Sequence, residues 1–555
     1  MRFPATGEWR LIAGVCQGWC VMGRYSLFAK TGWVKKPVAS LALVLAMSGG
    51  VQGQNQTEAP PVSPVVPVME PPSTVPPVLP PEGPQPNQYG EPSPGPGLFD
   101  RFREGPASIP PEGPQPNQYG EPMLLPPLLG GAKKYPSVQV GGVFQVDSVF
   151  YSQTATNRDT VGNEPDGSGI RRARLTAFGS VSENIDYRFQ FDLGDFGRPT
   201  VTDMYMDVKD VPLLGKVRIG NWKQPFSLEE MTSFRFNPFM NRSSIFLFHP
   251  FRRTGVGFYD WSEDKKWTWA VSAFRGFNDF YGGDLTDIQG YGGVGRLTHC
   301  FFYENEGAEV LHFGGSYSVI APSNQNLVFG TFGGNAPELG LLQGQYTGPT
   351  PNLSPGFKQN QSMVSTGKAL ARTYYDEKAL KNLKGPYGGT LQYQDFHIES
   401  AWVHGPLSIQ AEGDLVPVSL ANGSTPIFAG GYIFATYFLT GEHRTYDRNL
   451  AIFDRIQPKT NSRTGHLFGG AWELAARLNY ISLNNLNKNG VAVYGGQLMD
   501  PTFGVNWYLN PYTKFTMNYI PAYLNRALAG PNQALDGNQA RSQANAWGLQ
   551  AQVDF

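Results

Sequence analysis

The sequence predicts an all-β fold: a transmembrane antiparallel β-barrel of about 16 strands, preceded by a disordered Pro-rich segment. Three observations carry that reading. After Lys134 the chain alternates apolar and polar residues, the mark of strands with a different solvent on each face. Its alternating segments run longer than the roughly 5–6 residues usual for soluble sandwiches, with aromatics at their ends as in membrane girdles. The last stretch, WGLQAQVDF at 547–555, alternates to its final residue: Trp547, Leu549, Ala551, Val553 and Phe555 lie on one side, and Gly548, Gln550, Gln552 and Asp554 on the other.

Composition is consistent with this. The 555 residues have a formal net charge of −1 and only 16% charged residues, so no nucleic-acid partner is indicated. Aromatics make up 13% and glycines number 66, which suits strands and tight turns more than helices. No stretch of about 18 apolar residues follows the leader, a signal that barrel strands never give.

Residues 1–53 read as a signal peptide whose N-terminal part is over-extended. Lys35 and Lys36 precede an apolar core from Val38 to Met47, small residues, and a cleavage point after Gly53. Cys16 and Cys20 fall before that point, leaving Cys300 as a lone thiol and no disulfide framework. Residues 54–134 read as a Pro-rich linker: 23 of the 46 prolines lie between 60 and 127, and PPEGPQPNQYGEP occurs at 80–92 and again at 110–122. Such a segment builds no core and favours extended polyproline conformations, a spacer with possible cell-wall contact through residues 60–127.

Residues 135–555 read as the barrel. Val138, Val140, Phe144 and Val146 share one face; Tyr187, Phe189, Phe191 and Leu193 oppose Arg188, Gln190 and Asp192. Trp267 to Ala273, Phe313 to Val319, Leu407 to Ala411, Trp472 to Tyr480 and Phe503 to Leu509 repeat the pattern, with turn residues between them. About 26 residues per strand and connection gives the even strand number.

Catalytic chemistry finds no foothold, and the chain reads as a non-enzyme without cofactor or metal. The seven histidines, at 249, 299, 312, 397, 404, 443 and 466, are scattered, without HExxH or an i, i+4 pair. There is no GxSxG elbow. GYGGVG at 290–295 matches a phosphate-loop pattern in letters only, since no helix follows to receive a phosphate.

The basic residues are more informative. In IRRARLTAFG, 170–179, Ala173, Leu175 and Ala177 take the lipid face, so Arg172 and Arg174 point into the lumen and Arg171 sits at the strand mouth. A lipid-facing arginine near the midplane costs about 2–4 kcal/mol, which fixes that orientation. Strands at Val217–Ile219 and Val256–Phe258 bracket a long aromatic stretch without alternation that holds Lys223, Arg235, Arg242, Arg252 and Arg253 against Glu229 and Glu230. Folded into the lumen, it forms a cationic constriction that concentrates anions. The competing expectation is ordinary wall charge, paired across the lumen with Asp192, Asp203 or Asp207.

RRARL, KVRIGNWKQPFSLEEMTS, FMNRS and RRTGVGF, then GPLSIQAEG, YFLTGEHRTYDR, GAWELAARLNYISL and FGVNWYLNPYTKFTMNY, occur in an order that resembles the phosphate-selective porin O and P family over roughly residues 135–555. The resemblance implies a trimeric outer-membrane barrel of about 16 strands whose arginine-lined lumen passes inorganic anions such as phosphate. It matches the family's arginine pair to Arg171 and Arg172, and its basic and hydroxyl loop residues to Lys223, Ser227 and Arg235. Arg174 departs from the pattern, standing where the phosphate channels carry tyrosine. The anion path expected is Arg171, Arg172, Arg174, Lys223, Ser227, Arg235, Arg242 and Arg253. The alternatives are a general non-selective porin or a structural, envelope-anchoring barrel. The final strand is expected to close the barrel against the first near Val138, and its terminal Phe555 resembles the signal read by barrel-assembly machinery.

Overall fold

The computed structural model describes residues 135–555 except 162, 165, 195–198, 277–289, 328, 330–362, 371, 377–380, 463–468, 489–490 and 528–538. The expected signal peptide 1–53 and the Pro-rich segment 54–134 lie outside the described residues.

Antiparallel strands follow one another around a closed sheet: β1 (Gln139–Gln153), β2 (Gly167–Ser182), β3 (Ile185–Asp192), β4 (Thr200–Val211), β5 (Gly215–Lys223), β6 (Arg252–Trp261), β7 (Trp267–Arg275) and β8 (Tyr291–Glu304). The second half is β9 (Glu309–Ala321), β10 (Thr390–His404), β11 (Leu407–Leu420), β12 (Ile427–Phe438), β13 (Ala471–Lys488), β14, β15 (Thr513–Ala527) and β16 (Gln539–Asp554). The sheet counts 17 strand segments, but Val491–Met499 and Thr502–Asn510 both run between β13 and β15 and are the halves of β14; 17 − 1 leaves 16. Pro501 has no amide hydrogen to give to a ladder, and the interruption falls beside it.

The predicted alternation sets which side chains face outward. Phe144, Phe189, Leu297, Phe313, Leu478 and Met517 are exposed on the outer face, whereas Arg188, Gln190, Arg296, Ser316, Asn479 and Asn518 are buried toward the lumen. Glycines 292, 293 and 295 of the GYGGVG stretch lie within β8, and a Cβ at Gly292 would stand 2.5 Å from the Phe274 ring, so close packing accounts for that glycine.

The barrel closes between its first and last strands. The seam pairs Val143 with Asp554 and continues to Gln153 opposite Ala544. Its rim is Gly142 rather than Val138, because Gly142 N donates to Phe555 O at 2.9 Å and Phe555 N donates to Gly142 O at 3.1 Å. The Phe555 ring stacks on Phe144, their centroids 6.1 Å apart. Phe555→Ala keeps the two backbone bonds and removes the ring, so a loss of about 1–3 kcal/mol is expected. A lowered midpoint of heat-modifiable migration of the folded barrel in detergent is the readout.

Even-numbered connections at one end are mostly short turns (183–184, 212–214, 262–266, 305–308, 405–406, 511–512), the periplasmic arrangement of outer-membrane barrels. The exception is 439–470, between β12 and β13. At the opposite, long-loop end the inward positions turn apolar: Val294, Ile320, Val416, Phe428, Ile481 and Ile520 pack with Phe226 and Phe248 of the connection 224–251 into one cluster.

Candidate functional site: a lumen filled by two inserted connections

The connection between β5 and β6, residues 224–251, is buried almost throughout, inside the barrel. Its aromatic and apolar residues explain why it does not stay in solvent: Phe226, Leu228, Ile245, Phe246 and Phe248 are fully or nearly fully buried, each worth about 1.5–3 kcal/mol. Polar ties then hold it to walls on several sides. Asn518 Oδ1 accepts from Met240 N at 2.8 Å, Asn506 Nδ2 donates to Pro238 O at 2.8 Å, and Lys514 Nζ donates to Arg235 O and Asn237 O at 3.0 Å each. Arg477 Nη1 contacts Glu229 Oε1 at 3.3 Å and donates to Asn241 O at 3.0 Å, while Ser243 N donates to Glu229 Oε2 at 2.9 Å. Burial pushes the Glu229 carboxyl above the ordinary glutamate range, and Arg477 and Arg242 pull it back only in part.

The second inserted element is the stretch 439–462 of the connection between β12 and β13, which enters from the short-turn end. Tyr446 Oη lies 2.7 Å from His312 Nδ1, Arg444 Nη1 donates to Gln410 Oε1 at 3.0 Å, and Arg296 Nη2 donates to Ala451 O at 2.9 Å. It reaches the first connection, since Phe453 N donates to Thr232 Oγ1 at 3.3 Å. Arg444, stacked 3.6 Å from the Phe453 centroid, and Arg455, paired with Asp554, are lumen cations that the sequence reading passed over. The signal that was available is a non-alternating stretch holding Arg444, Arg448 and Arg455 together with buried aromatics.

The residues expected to line the path separate into two groups. Arg172 and Arg174 point inward as predicted, and their guanidinium carbons lie 4.4 and 4.8 Å from the Phe234 centroid, with that of Arg235 at 5.8 Å. Arg171 is not at the strand mouth. A register shift places Gln145 opposite Arg172 and Val146 opposite Ile170, so Arg171 is the extra residue of a bulge and turns inward too. There it contacts Asp147 and Asn241 at 3.0 Å each. Arg172, Arg174 and Arg235 thus gather at one half-buried ring, and Arg171 adjoins Arg172 on the bulge.

The other four serve the connection itself. Lys223 Nζ donates to the carbonyls of Glu230, Met231 and Thr232 at 2.8, 3.1 and 3.4 Å, capping the C-terminal end of the short helix Leu228–Met231. Ser227 is the N-cap of that helix, accepting from Glu230 N at 3.1 Å and donating to Glu412 Oε2 at 2.5 Å. Arg242 Nη2 donates to Thr232 O at 2.9 Å, and Arg253 donates to Gly276 O at 3.1 Å and Arg252 O at 2.8 Å. A cation or hydroxyl in a lumen loop satisfies orphan carbonyls and amides before it faces solute.

Wall pairing of the kind weighed as the competing expectation is present as well. Arg174 contacts Asp192 at 2.7 Å, Arg252 contacts Asp203 at 2.8 Å, and Arg218 grips Asp207 with two bonds of 2.6 Å. The histidines, scattered in sequence, are partly gathered by the fold: His249, His312 and His397 reach a common group of carboxylates.

The family described as phosphate-selective porin O and P matches residues 138–555. Porin O of Pseudomonas aeruginosa is 25% identical over 404 residues, covering 70% of this chain and 83% of that protein. An uncharacterized protein of Caulobacter vibrioides is 24% identical over 355 residues, covering 64% of this chain and 62% of that protein. Among solved structures, an anion-selective porin from Comamonas acidovorans aligns with a TM-score of 0.41 at 10% identity, over 76% of this chain and 99% of that one. OmpT of Vibrio cholerae in its trimer form gives a TM-score of 0.43 at 11% identity, over 76% of this chain and 100% of that one. A closed barrel with an apolar belt, a polar lumen and a family match across the whole of it place the chain in the outer membrane: it belongs to the phosphate-selective porin O and P family, a family of outer-membrane channels.

Proposed function

We propose that this outer-membrane channel prefers anions, with phosphate-like solutes as its cargo, and that Arg171, Arg172, Arg174 and Arg235 form the surface that greets them. The observation that carries the reading is the placement of Arg172 and Arg174 against Phe234, with Arg172 Nη1 donating to Gln145 Oε1 at 2.7 Å. A guanidinium stacked on a ring keeps its in-plane N–H fork, which suits the paired oxygens of a phosphate better than an ammonium does. Low-dielectric walls strengthen that attraction. Assembly as a homotrimer and delivery by barrel-assembly machinery belong to the same reading.

The test is the zero-current potential of the reconstituted channel in a salt gradient, with phosphate added to follow block of the chloride current. Anion preference is expected, falling about tenfold in the Arg172→Ala/Arg174→Ala variant, the equivalent of ~1.4 kcal/mol of lost anion stabilisation. Cation preference in the unmodified channel, or an unchanged permeability ratio in the variant, sinks the anion site. The second reading, a non-selective porin, is favoured by the wall pairs Arg218–Asp207, Arg252–Asp203 and Arg174–Asp192, which cancel charge locally.

A further inference from the structure

Where the inserted connection 224–251 meets the wall of β10 and β11, two imidazoles converge on one carboxylate. His249 Nε2 lies 3.0 Å from Asp414 Oδ2, and His397 Nδ1 lies 2.5 Å from Asp414 Oδ1. The strands make this possible: His397 sits directly opposite Asp414 in the register of β10 and β11, both facing inward, and His249 descends from the end of the connection. Each imidazole also presents its other nitrogen to a further carboxylate, His249 Nδ1 to Glu230 Oε2 at 3.2 Å and His397 Nε2 to Glu412 Oε2 at 3.1 Å.

We propose that His249 Nε2, His397 Nδ1 and the Asp414 carboxylate bind a divalent transition metal of the zinc class, with Glu230 and Glu412 orienting the two imidazoles. The ligand atoms lie within 4.8 Å of one another. A tetrahedral ion with bonds of about 2.0–2.2 Å holds its ligands roughly 3.3 Å apart, against 3.0 and 2.5 Å from Asp414 to the two imidazoles here. Two nitrogens and a carboxylate are the donors that such an ion takes, and carboxylates behind both imidazoles are the usual orienting arrangement of histidine metal ligands.

One feature points to a cation rather than a plain hydrogen-bonded network. Asp395, on the same face of β10 as His397, is 0% exposed and both of its carboxylate oxygens are without a hydrogen-bond partner. A buried carboxyl group left without a partner is costly unless a cation stands near it. Arg296 pairs with Glu399 at 2.6 Å, and Glu399, opposite Glu412 in the register, lies 3.6 Å from His397 Nε2.

The centre is sealed. His249, His397 and Asp414 are 2%, 3% and 6% exposed, and the Phe226 ring lies 4.8 and 5.0 Å from the two imidazoles. The ion therefore acts as a clip, fastening the inserted connection to the wall. This role is separate from anion preference, which depends on arginines around Phe234 on another part of the lumen.

The experiment uses untagged full-length barrel in detergent, equilibrated with Co2+ and freed of unbound metal by gel filtration. Equimolar Co2+ uptake is expected, with the visible absorption of a tetrahedral nitrogen–oxygen site that Zn2+ abolishes. His249→Gln and Asp414→Asn should lose the band, while His404→Gln, which alters an exposed histidine, should keep it. A wild-type barrel without Co2+ uptake above buffer overturns the site whatever the variants do. Retention of the band in both His249→Gln and Asp414→Asn overturns it as well. Should Asp414→Asn fail to assemble, His249→Gln decides, because its side chain belongs to the connection and not to the barrel wall.

Discussion

Arg477→Met is expected to loosen the lumen connection and produce a larger, noisier channel. The wild-type guanidinium holds two points of that connection, Glu229 Oε1 at 3.3 Å and Asn241 O at 3.0 Å, and lies 4.7 Å from the Phe239 ring. Glu229 in turn ties Ser243, so one arginine on β13 fastens residues 229, 241 and 243 together. Removing one partner of a buried pair strands the other charge at a cost of about 3–5 kcal/mol. Glu229, already pushed upward by burial, then takes a proton rather than remain bare. Single-channel recordings in a planar bilayer should show higher open conductance and more gating noise. Glu229→Gln added to Arg477→Met should recover part of the wild-type behaviour, because the stranded charge is gone. Unaltered conductance and noise in Arg477→Met would remove this pair from the anchoring account.

Gly220→Val is expected to prevent assembly of most of the barrel. Gly220 has φ 138°, a backbone conformation that residues with a Cβ rarely adopt. A Cβ placed there would stand 2.2 Å from Met204 O and 2.6 Å from Tyr205 Cα, both backbone atoms of the neighbouring strand β4 that cannot step aside. The bend also sets the end of β5: Asn221, Trp222 and Lys223 are all buried in succession, breaking alternation where the chain turns to enter the lumen. Trp222 is fully buried with Nε1 donating to Tyr259 Oη at 2.5 Å, and Lys223 caps the first helix of the connection. Strain of at least ~3 kcal/mol, added to a misdirected Trp222, should reduce the heat-modifiable folded fraction severalfold. Gly169→Ala, where a Cβ meets nothing within 4 Å, serves as the control and should fold normally.

How legible the molecule is from its sequence depends on how local the information is. Alternation is local: Phe189 and Arg188 declare opposite solvents from neighbouring positions, so the barrel, its lipid face and its last strand are readable residue by residue. The same logic correctly turned Arg172 and Arg174 inward, and it misplaced Arg171 because a bulge adds one residue and flips the next side chain. No periodicity announces a bulge before the partner strand is known. Lys223 and Ser227 carry the residue types of an anion path, yet the fold uses them on helix ends, since buried carbonyls and amides demand partners first.

The sequence by itself determined the class of the protein: an exported chain with amphipathic strands has one way to satisfy every backbone group in lipid, and that is a closed barrel. Tertiary structure alone decided what fills the barrel. It brings 224–251 and 439–462 together at Thr232 and Phe453, gathers Arg172, Arg174 and Arg235 at Phe234, and sets His249 beside His397 and Asp414 across gaps of 148 and 165 residues. Those juxtapositions depend on strand register and on which connections enter the lumen, quantities fixed by the packing of the whole sheet rather than by any short stretch of residues.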